Sequence, residues 1–441
     1  MNGETLFRAS LFDTPENPFH GSDTLRIETD GGLLVRGGRI AARGPFEAVR
    51  GAHPGVPVTD WRGGIVLPGF IDTHVHFPQI RIIGGLGRTL LDWLEQVALP
   101  EESRMADVVY ARDTAQRCVS ALVSHGTTTA LVFGAHFAAA TAALFDEAAA
   151  VGLRVASGLV VSDRNLRADL HQDADAAYRD STDLIARYHG RGRATYAVTP
   201  RFALSVSERM LEMCQTLVRE HEGLLVQSHM NENREEITGV ARQFRWAHDY
   251  FGVYERYGLS GPRAVLAHNV HPTAFELERM AADRTTVAHC PASNAALGSG
   301  IFPMKRHVEA GVRVALGTDV GGGTGPGMLK EALTAYLMQR VAPGGPQVLD
   351  AARMLYLSTL AGAEALGLAS ETGDLEPGKW ADFVYLRPPA RSVLAAALER
   401  VDDPAQALSA LFTMGGAESV REVRVEGDMV FSNHEAHDDH R

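Results

Sequence analysis

The sequence predicts an α/β fold: a (β/α)8 TIM barrel with a small β-sandwich domain formed by both chain ends. Three observations carry this. Eight short apolar runs recur between residues 65 and 320 of a 441-residue chain, helical patterns rich in Ala, Leu, Arg and Glu lie between them, and both ends differ in texture from the middle.

In order, the runs are IVLPGFIDTH (65–74), TTTALVFG (127–134), LRVASGLVVSD (153–163), ATYAVTPRF (194–202), LLVQSHMNE (224–232), AVLAHNV (264–270), TTVAHCP (285–291) and VRVALGTDV (312–320). Each is continuously apolar rather than alternating, as expected of a parallel strand covered on both faces. Segments such as 140–151 and 208–221 supply helices between them, and the barrel is expected over residues 67–374. LLVRGGRIAARG (33–44) reads as strand, Gly-Gly turn, strand, and EPGKWADFVYLR (376–387) and SVREVRVEGDMVFSN (419–433) alternate in the same manner. Residues 1–66 and 375–441 are therefore expected to meet as the sandwich beside the barrel.

Apolar residues make up 45% of the chain, enough for a large core, and 54 acidic against 42 basic residues leave a net charge of −12. That balance, without any basic run, disfavours a nucleic-acid or polyanion surface. Three widely spaced cysteines, Cys118, Cys214 and Cys290, argue against a disulfide framework and a Cys-rich zinc knuckle. The first residues lack the charged-then-apolar layout of a signal peptide, and the apolar stretch 129–145 is short and contains Gly134 and His136. A soluble cytoplasmic protein, not membrane-bound, is expected.

Catalytic side chains of a barrel sit at the C-terminal ends of its strands. Those ends carry His74 and His76 on the first strand, Arg201 on the fourth, and His229 with Glu232 on the fifth; His268, His289 and Asp319 end the sixth, seventh and eighth. Two histidines separated by one residue on a strand point the same way. A lone strand-end histidine is more often a hydrogen-bonded filler, but chance has no reason to choose strand ends repeatedly. A metal site of His74, His76, His229 and Asp319 is expected, suited to Zn²⁺ with Fe²⁺ possible, one ion per subunit. It would lower the pKa of a bound water toward neutrality and so supply a nucleophile. His268 is either a further ligand or a hydrogen-bond partner of that hydroxide, with the second role favoured. Glu232 is placed to carry protons, and Asp319 and His268 are next in line for catalytic acid–base work.

PGFIDTHVH, SHMNE, AHNV, LGTD and GDLEPGKWADFV stand in an order that resembles the amidohydrolase superfamily over nearly the whole chain. Narrower features, FPQ (77–79), LLDWLEQ (90–96), TPRFALS (199–205), QSHMNENREE (227–236) and AHCPASNAALGSGIFP (288–303), are similar to its guanine deaminase family. The resemblance implies hydrolytic deamination of guanine to xanthine and ammonia, with zinc, in a homodimer. It carries metal binding onto His74, His76, His229, His268 and Asp319, and substrate contact onto Gln79, Arg201, Phe202 and Glu232. Arg201 can donate to a purine carbonyl, and Gln79 offers a donor and an acceptor to the heterocycle edge. Trp93 and Phe202 either pack on the ring or belong to the core. Two-metal relatives bridge their ions with a strand-four lysine; the three lysines here, Lys305, Lys330 and Lys379, lie elsewhere, which favours one ion. Met230-Asn231 departs from the smaller residues expected before Glu232, and GGGTGPGML (321–329) is unusually Gly-rich. A triazine- or adenosine-type aminohydrolase is the nearest alternative, and a catalytically inactive scaffold the alternative from another class.

Overall fold

The computed structural model describes residues 3–345 and 347–433. Strands β1 (Thr5–Asp13), β2 (Arg26–Arg36), β3 (Arg39–Pro45) and β4 (Val58–Pro68) come first. They are followed by β5 (Phe70–His76), β6 (Thr127–Phe133), β7 (Arg154–Gly158), β8 (Val160–Val161), β9 (Ala194–Pro200), β10 (Leu225–Met230), β11 (Ala264–His268), β12 (Thr286–His289) and β13 (Arg313–Leu316). The last three are β14 (Phe383–Leu386), β15 (Val420–Val425) and β16 (Asp428–Ser432).

The barrel runs β5-β6-β7-β9-β10-β11-β12-β13, with the two-residue β8 attached to β9. Its neighbouring pairs are all parallel. Backbone hydrogen bonds from Asp319 to the His74 carbonyl (2.7 Å) and from His76 to the Val320 carbonyl (2.9 Å) bring its first and last strands together. Each of the eight apolar runs thus contains a barrel strand. The run 65–74, however, is shared between two sheets. Ile65 to Pro68 pair antiparallel with β14, whereas Phe70 onward pairs with β6. The switch needs Gly69, because a Cβ there would stand 2.1 Å from Thr128 Oγ1.

The chain ends build a separate sheet, β16-β15-β14-β4-β1-β2-β3, along one hydrogen-bonded path. Its alternation is the period of a strand with two distinct faces. Phe7, Leu11, Trp61, Phe383 and Tyr385 cluster on one face, with Trp61 stacked on Tyr385 at 4.3 Å. Leu6 and Leu34 pack on the other against Phe46 and Val49. The stretch between β14 and β15 departs from the expected sandwich. Helices Val393–Leu398 and Pro404–Met414 bury Leu394, Leu408, Leu411 and Phe412 in the barrel's own apolar cluster, and 408, 411 and 412 have helical spacing. Residues 434–441, expected in the sandwich, lie outside the described residues.

Two capping boxes fix the turns after β10 and β11. Asn233 with Glu236 starts the helix Arg234–Gln243, and Thr273 with Glu276 starts Ala274–Asp283. Among the described residues no helix is long and apolar enough to cross a membrane.

Candidate active site

The ends of β5, β10 and β11 and the turn after β13 converge on one rim. His74 and His76, two apart on β5, each bring Nε2 to 3.3 Å from Asp319 Oδ1. His76 Nε2 is also 3.1 Å from His229 Nε2. One ligand atom from each of His74, His76, His229 and Asp319 lies within 4.8 Å of the others, and all four residues are buried. His268 Nε2 is 3.8 Å from Asp319 Oδ2 and 3.5 Å from Glu232 Oε2. His289 behaves differently: it stacks on Phe302 at 4.2 Å and does not line the cavity described below.

The turns that present these groups are backbone-strained. His268 (φ 74°), Asn269 (φ 44°), Asn231 (φ 51°) and Asp319 (φ 47°) all occupy the left-handed region, in which Asn and Asp are the best tolerated non-glycine residues. Asn231 Nδ2 donates to Asn269 Oδ1 and to Glu276 Oε1, both at 3.1 Å. The Asn at this position is therefore a structural clamp between the β10 and β11 turns, which accounts for the departure from smaller residues there. The Gly-rich loop has an equally plain cause. A Cβ on Gly321 would meet the Gln79 carbonyl at 2.6 Å, and one on Gly323 would meet that of Thr318 at 1.9 Å.

Burial pushes His76 down to about 4 and His229 well below the imidazole range, so each is neutral and has a lone pair to offer. Burial alone would raise Asp319, but its contacts with His74 and His76 hold it well below the usual carboxylate range. Glu232 goes the other way, pushed well above that range by burial and by the charge of Asp319. The same water-excluded surroundings thus shift the two carboxyls in opposite directions.

These residues fit a metal ion. Nε2 of both His74 and His268 is buried without a hydrogen-bond partner. His229 Nδ1 faces the Arg201 carbonyl at 2.5 Å; a carbonyl only accepts, so Nδ1 carries the proton and Nε2 is bare. A cation would satisfy these nitrogens together.

A cavity opens onto this cluster. Its lining brings together His76, His229, His268, Asp319 and Glu232 with Gln79, Arg201, Phe202 and Trp93, while Leu90, Leu94 and Leu297 complete an apolar wall. Gln79 closes the 3-10 turn Phe77–Gln79 and is 1% exposed. Pro78 fixes that turn directly after the histidine pair. Phe202 sits edge-on to His229 at 6.5 Å.

Two polar residues of the site escaped sequence reasoning. Asp72 accepts from the backbone of His74 (3.1 Å) and Thr318 (3.0 Å), tying β5 to the turn that bears Asp319. Its signal was parity, since residues 72, 74 and 76 alternate together. Glu102 binds Arg201 and Gln79 from behind the cavity wall. It follows Leu94 and Ala98 at intervals of four, a carboxylate on the apolar face of a helix.

Residues 65–430 match the amidohydrolase family, and residues 31–55 match a bacterial imidazolonepropionase-like composite domain. A Deinococcus radiodurans protein described as a probable guanine deaminase is 52% identical over 432 residues, 97% of this chain and 98% of its own. The guanine deaminase of Escherichia coli is 36% identical over 98% of this chain and 99% of its own. Its solved structure superposes with a TM-score of 0.92 at 35% identity, covering 98% of this chain and 99% of that one. The C. acetobutylicum guanine deaminase, solved with guanine bound in its active site, superposes at 0.89 with 26% identity, covering 97% of this chain and 100% of that one.

Proposed function

This chain belongs to the amidohydrolase family, and we propose on that premise that it is a guanine deaminase, hydrolysing guanine to xanthine and ammonia. One observation carries the reading furthest. A single cavity is lined both by the histidine and aspartate cluster with Glu232 and by Arg201 and Gln79.

His74, His76, His229 and Asp319 would hold one divalent cation, with zinc suiting the imidazole and carboxylate set best and iron the alternative. When bound, such an ion lowers the pKa of water toward neutrality and so supplies a hydroxide nucleophile. His268 is the fifth group, either a ligand or the hydrogen-bond partner of the nucleophile. Arg201 donates to the purine 6-oxo group, Gln79 reads the adjoining edge, and Trp93 and Phe202 flank the ring. That pose turns C2 and its amino group toward the rim.

Glu232 performs the proton transfers. Ser299 Oγ donates to its Oε1 at 3.3 Å, while Oε2 faces His268. It takes a proton from the attacking water and delivers it to the ring nitrogen beside C2, then takes the proton of the new C2 hydroxyl and delivers it to the amine as the C2–N bond breaks. Water is consumed, ammonia departs, and the 2-oxo group of xanthine remains. Leu90, Leu94 and Leu297 keep bulk water from the ring during these steps.

The protein is proposed to work in the cytoplasm, which agrees with three buried free thiols, and as a homodimer, as its resemblance implies. Ammonia release from guanine tests the activity, and sedimentation tests the assembly.

A further inference from the structure

Glu102 does not line the cavity, yet both side chains proposed to read the purine edge end on it. It is 3% exposed at the end of a helical stretch whose buried face also carries Leu94 and Ala98. A carboxylate this deep is tolerable only with partners. Arg201 Nη1 donates to both of its oxygens, at 2.8 and 2.7 Å, and Gln79 Nε2 donates to Oε1 at 2.7 Å. His136 is the third neighbour, its Nδ1 standing 3.6 Å from Oε2.

These bonds determine orientation. Gln79 is held at both ends, because its Oε1 accepts from the Gly321 backbone at 3.1 Å. Rotating the amide would set Oε1 against a carboxylate and Nε2 against an N–H, losing both bonds. One N–H and one lone pair of Gln79 therefore remain, in defined directions, for a ligand. Arg201 commits Nη1 to Glu102 and keeps its other guanidinium nitrogens outside that pair. His136 does not compete with Arg201 as the cation facing the carboxylate, since burial pushes it down to about 4 and leaves it neutral.

We propose that Glu102 is a positioning residue for substrate selection: by holding Arg201 and Gln79 it sets which donors and acceptors meet the 6-oxo edge of the purine. The inference rests on the guanine deaminase reading and extends it to a residue behind the cavity wall. Carboxylate and amide have the same shape, so Glu102→Gln preserves packing while opposing an N–H₂ group to the donors of Arg201 and Gln79.

The test is a cycle of kcat/KM for guanine in wild type, Glu102→Gln, Arg201→Ala and the double variant, each loaded with zinc. Glu102→Gln is expected to lose at least roughly tenfold, the scale of one charge-assisted hydrogen bond, with KM taking the larger share. Metal content and thermal midpoint should match wild type. Because Glu102 acts through Arg201, the double variant should be no worse than Arg201→Ala alone; a merely structural role makes the two losses multiply. Should Glu102→Gln not fold, Glu102→Asp, one methylene short of its partners, enters the same cycle. Multiplying losses, or a Glu102→Gln enzyme within twofold of wild type, overturns the role of Glu102 alone. Wild-type enzyme that turns over no guanine overturns the functional reading beneath it.

Discussion

Nδ1 of His229 donates to the backbone carbonyl of Arg201 at 2.5 Å. A proposed metal ligand on β10 is thereby oriented by the main chain of a proposed substrate-binding residue beyond β9, while the Arg201 side chain points elsewhere, onto Glu102. Two functions share one residue but use different atoms of it, so mutation can separate them.

Arg201→Ala should accordingly keep its metal, because the carbonyl that fixes His229 survives truncation. His229→Ala or Asp319→Asn should abolish tight binding, since each alters one of the four groups that converge in the buried cluster. Elemental analysis of purified enzyme should find close to one zinc or iron per chain in wild type and in Arg201→Ala. Two ions per chain in active enzyme would sink the mononuclear reading.

Much of this was legible in the sequence because strand ends are legible. His74 and His76 declare a shared face by spacing alone, and the eight apolar runs locate the rim. Other features depend on contacts that no local pattern records. Glu102 and Arg201 are 99 residues apart in the chain and meet only when helix and barrel pack. Periodicity could not divide the run 65–74 either, since its residues are buried from Ile65 to His74 whichever sheet they join. The glycines at 321 and 323 answer to close backbone approach, which composition alone does not record.

Glu232→Gln should retain the metal and bind guanine, yet lose at least about 10²-fold in kcat, the usual scale for a positioned acid–base group. Glutamine preserves the bond from Ser299 and the shape of the wall but cannot ferry a proton. Steady-state turnover with a parallel metal assay checks this. Near-normal kcat would move the role to Asp319 or His268.

Beneath Glu232, Glu236 predicts a pH dependence of stability. Burial, aided by the charge of Glu232, pushes its carboxyl from 4.5 up to about 7. The folded chain then keeps a proton that the unfolded chain releases above about 4.5. For this group stability is fullest below that pH and declines as pH rises to about 7, by at most about 3 kcal/mol. Glu236→Gln keeps an acceptor for the Glu232 and Asn233 backbone N–H groups, both 3.1 Å from Oε2, without the titration. Thermal midpoints of the zinc-loaded proteins at pH 5 and 8 should therefore differ less in the variant than in wild type. An equal or larger difference in the variant contradicts the assignment.

Substrate choice follows from what the cavity leaves unpaired. Arg201 brings a positive charge, 3% exposed, to an apolar wall, and the remaining guanidinium donors need an acceptor there. The 6-oxo group of guanine supplies one. Adenine offers an amino group at the same position, so donor would face donor, and a site built to hydrogen-bond rejects the analogue that cannot reciprocate. Gln79, locked between Glu102 and Gly321, cannot rotate to rescue the mismatch. Arg201→Ala and Gln79→Ala should each lose guanine activity by roughly 10²-fold, since a charged or bidentate contact is worth about 2–3 kcal/mol. The measurement is ammonia released from guanine, adenine, cytosine and a triazine by wild type and both variants. Wild type should favour guanine. A preference for adenine or the triazine, or unchanged guanine turnover in Arg201→Ala, would remove the substrate assignment and leave only the metal-dependent aminohydrolase, because Arg201 is the cation on this wall that can tell an oxygen from an amine.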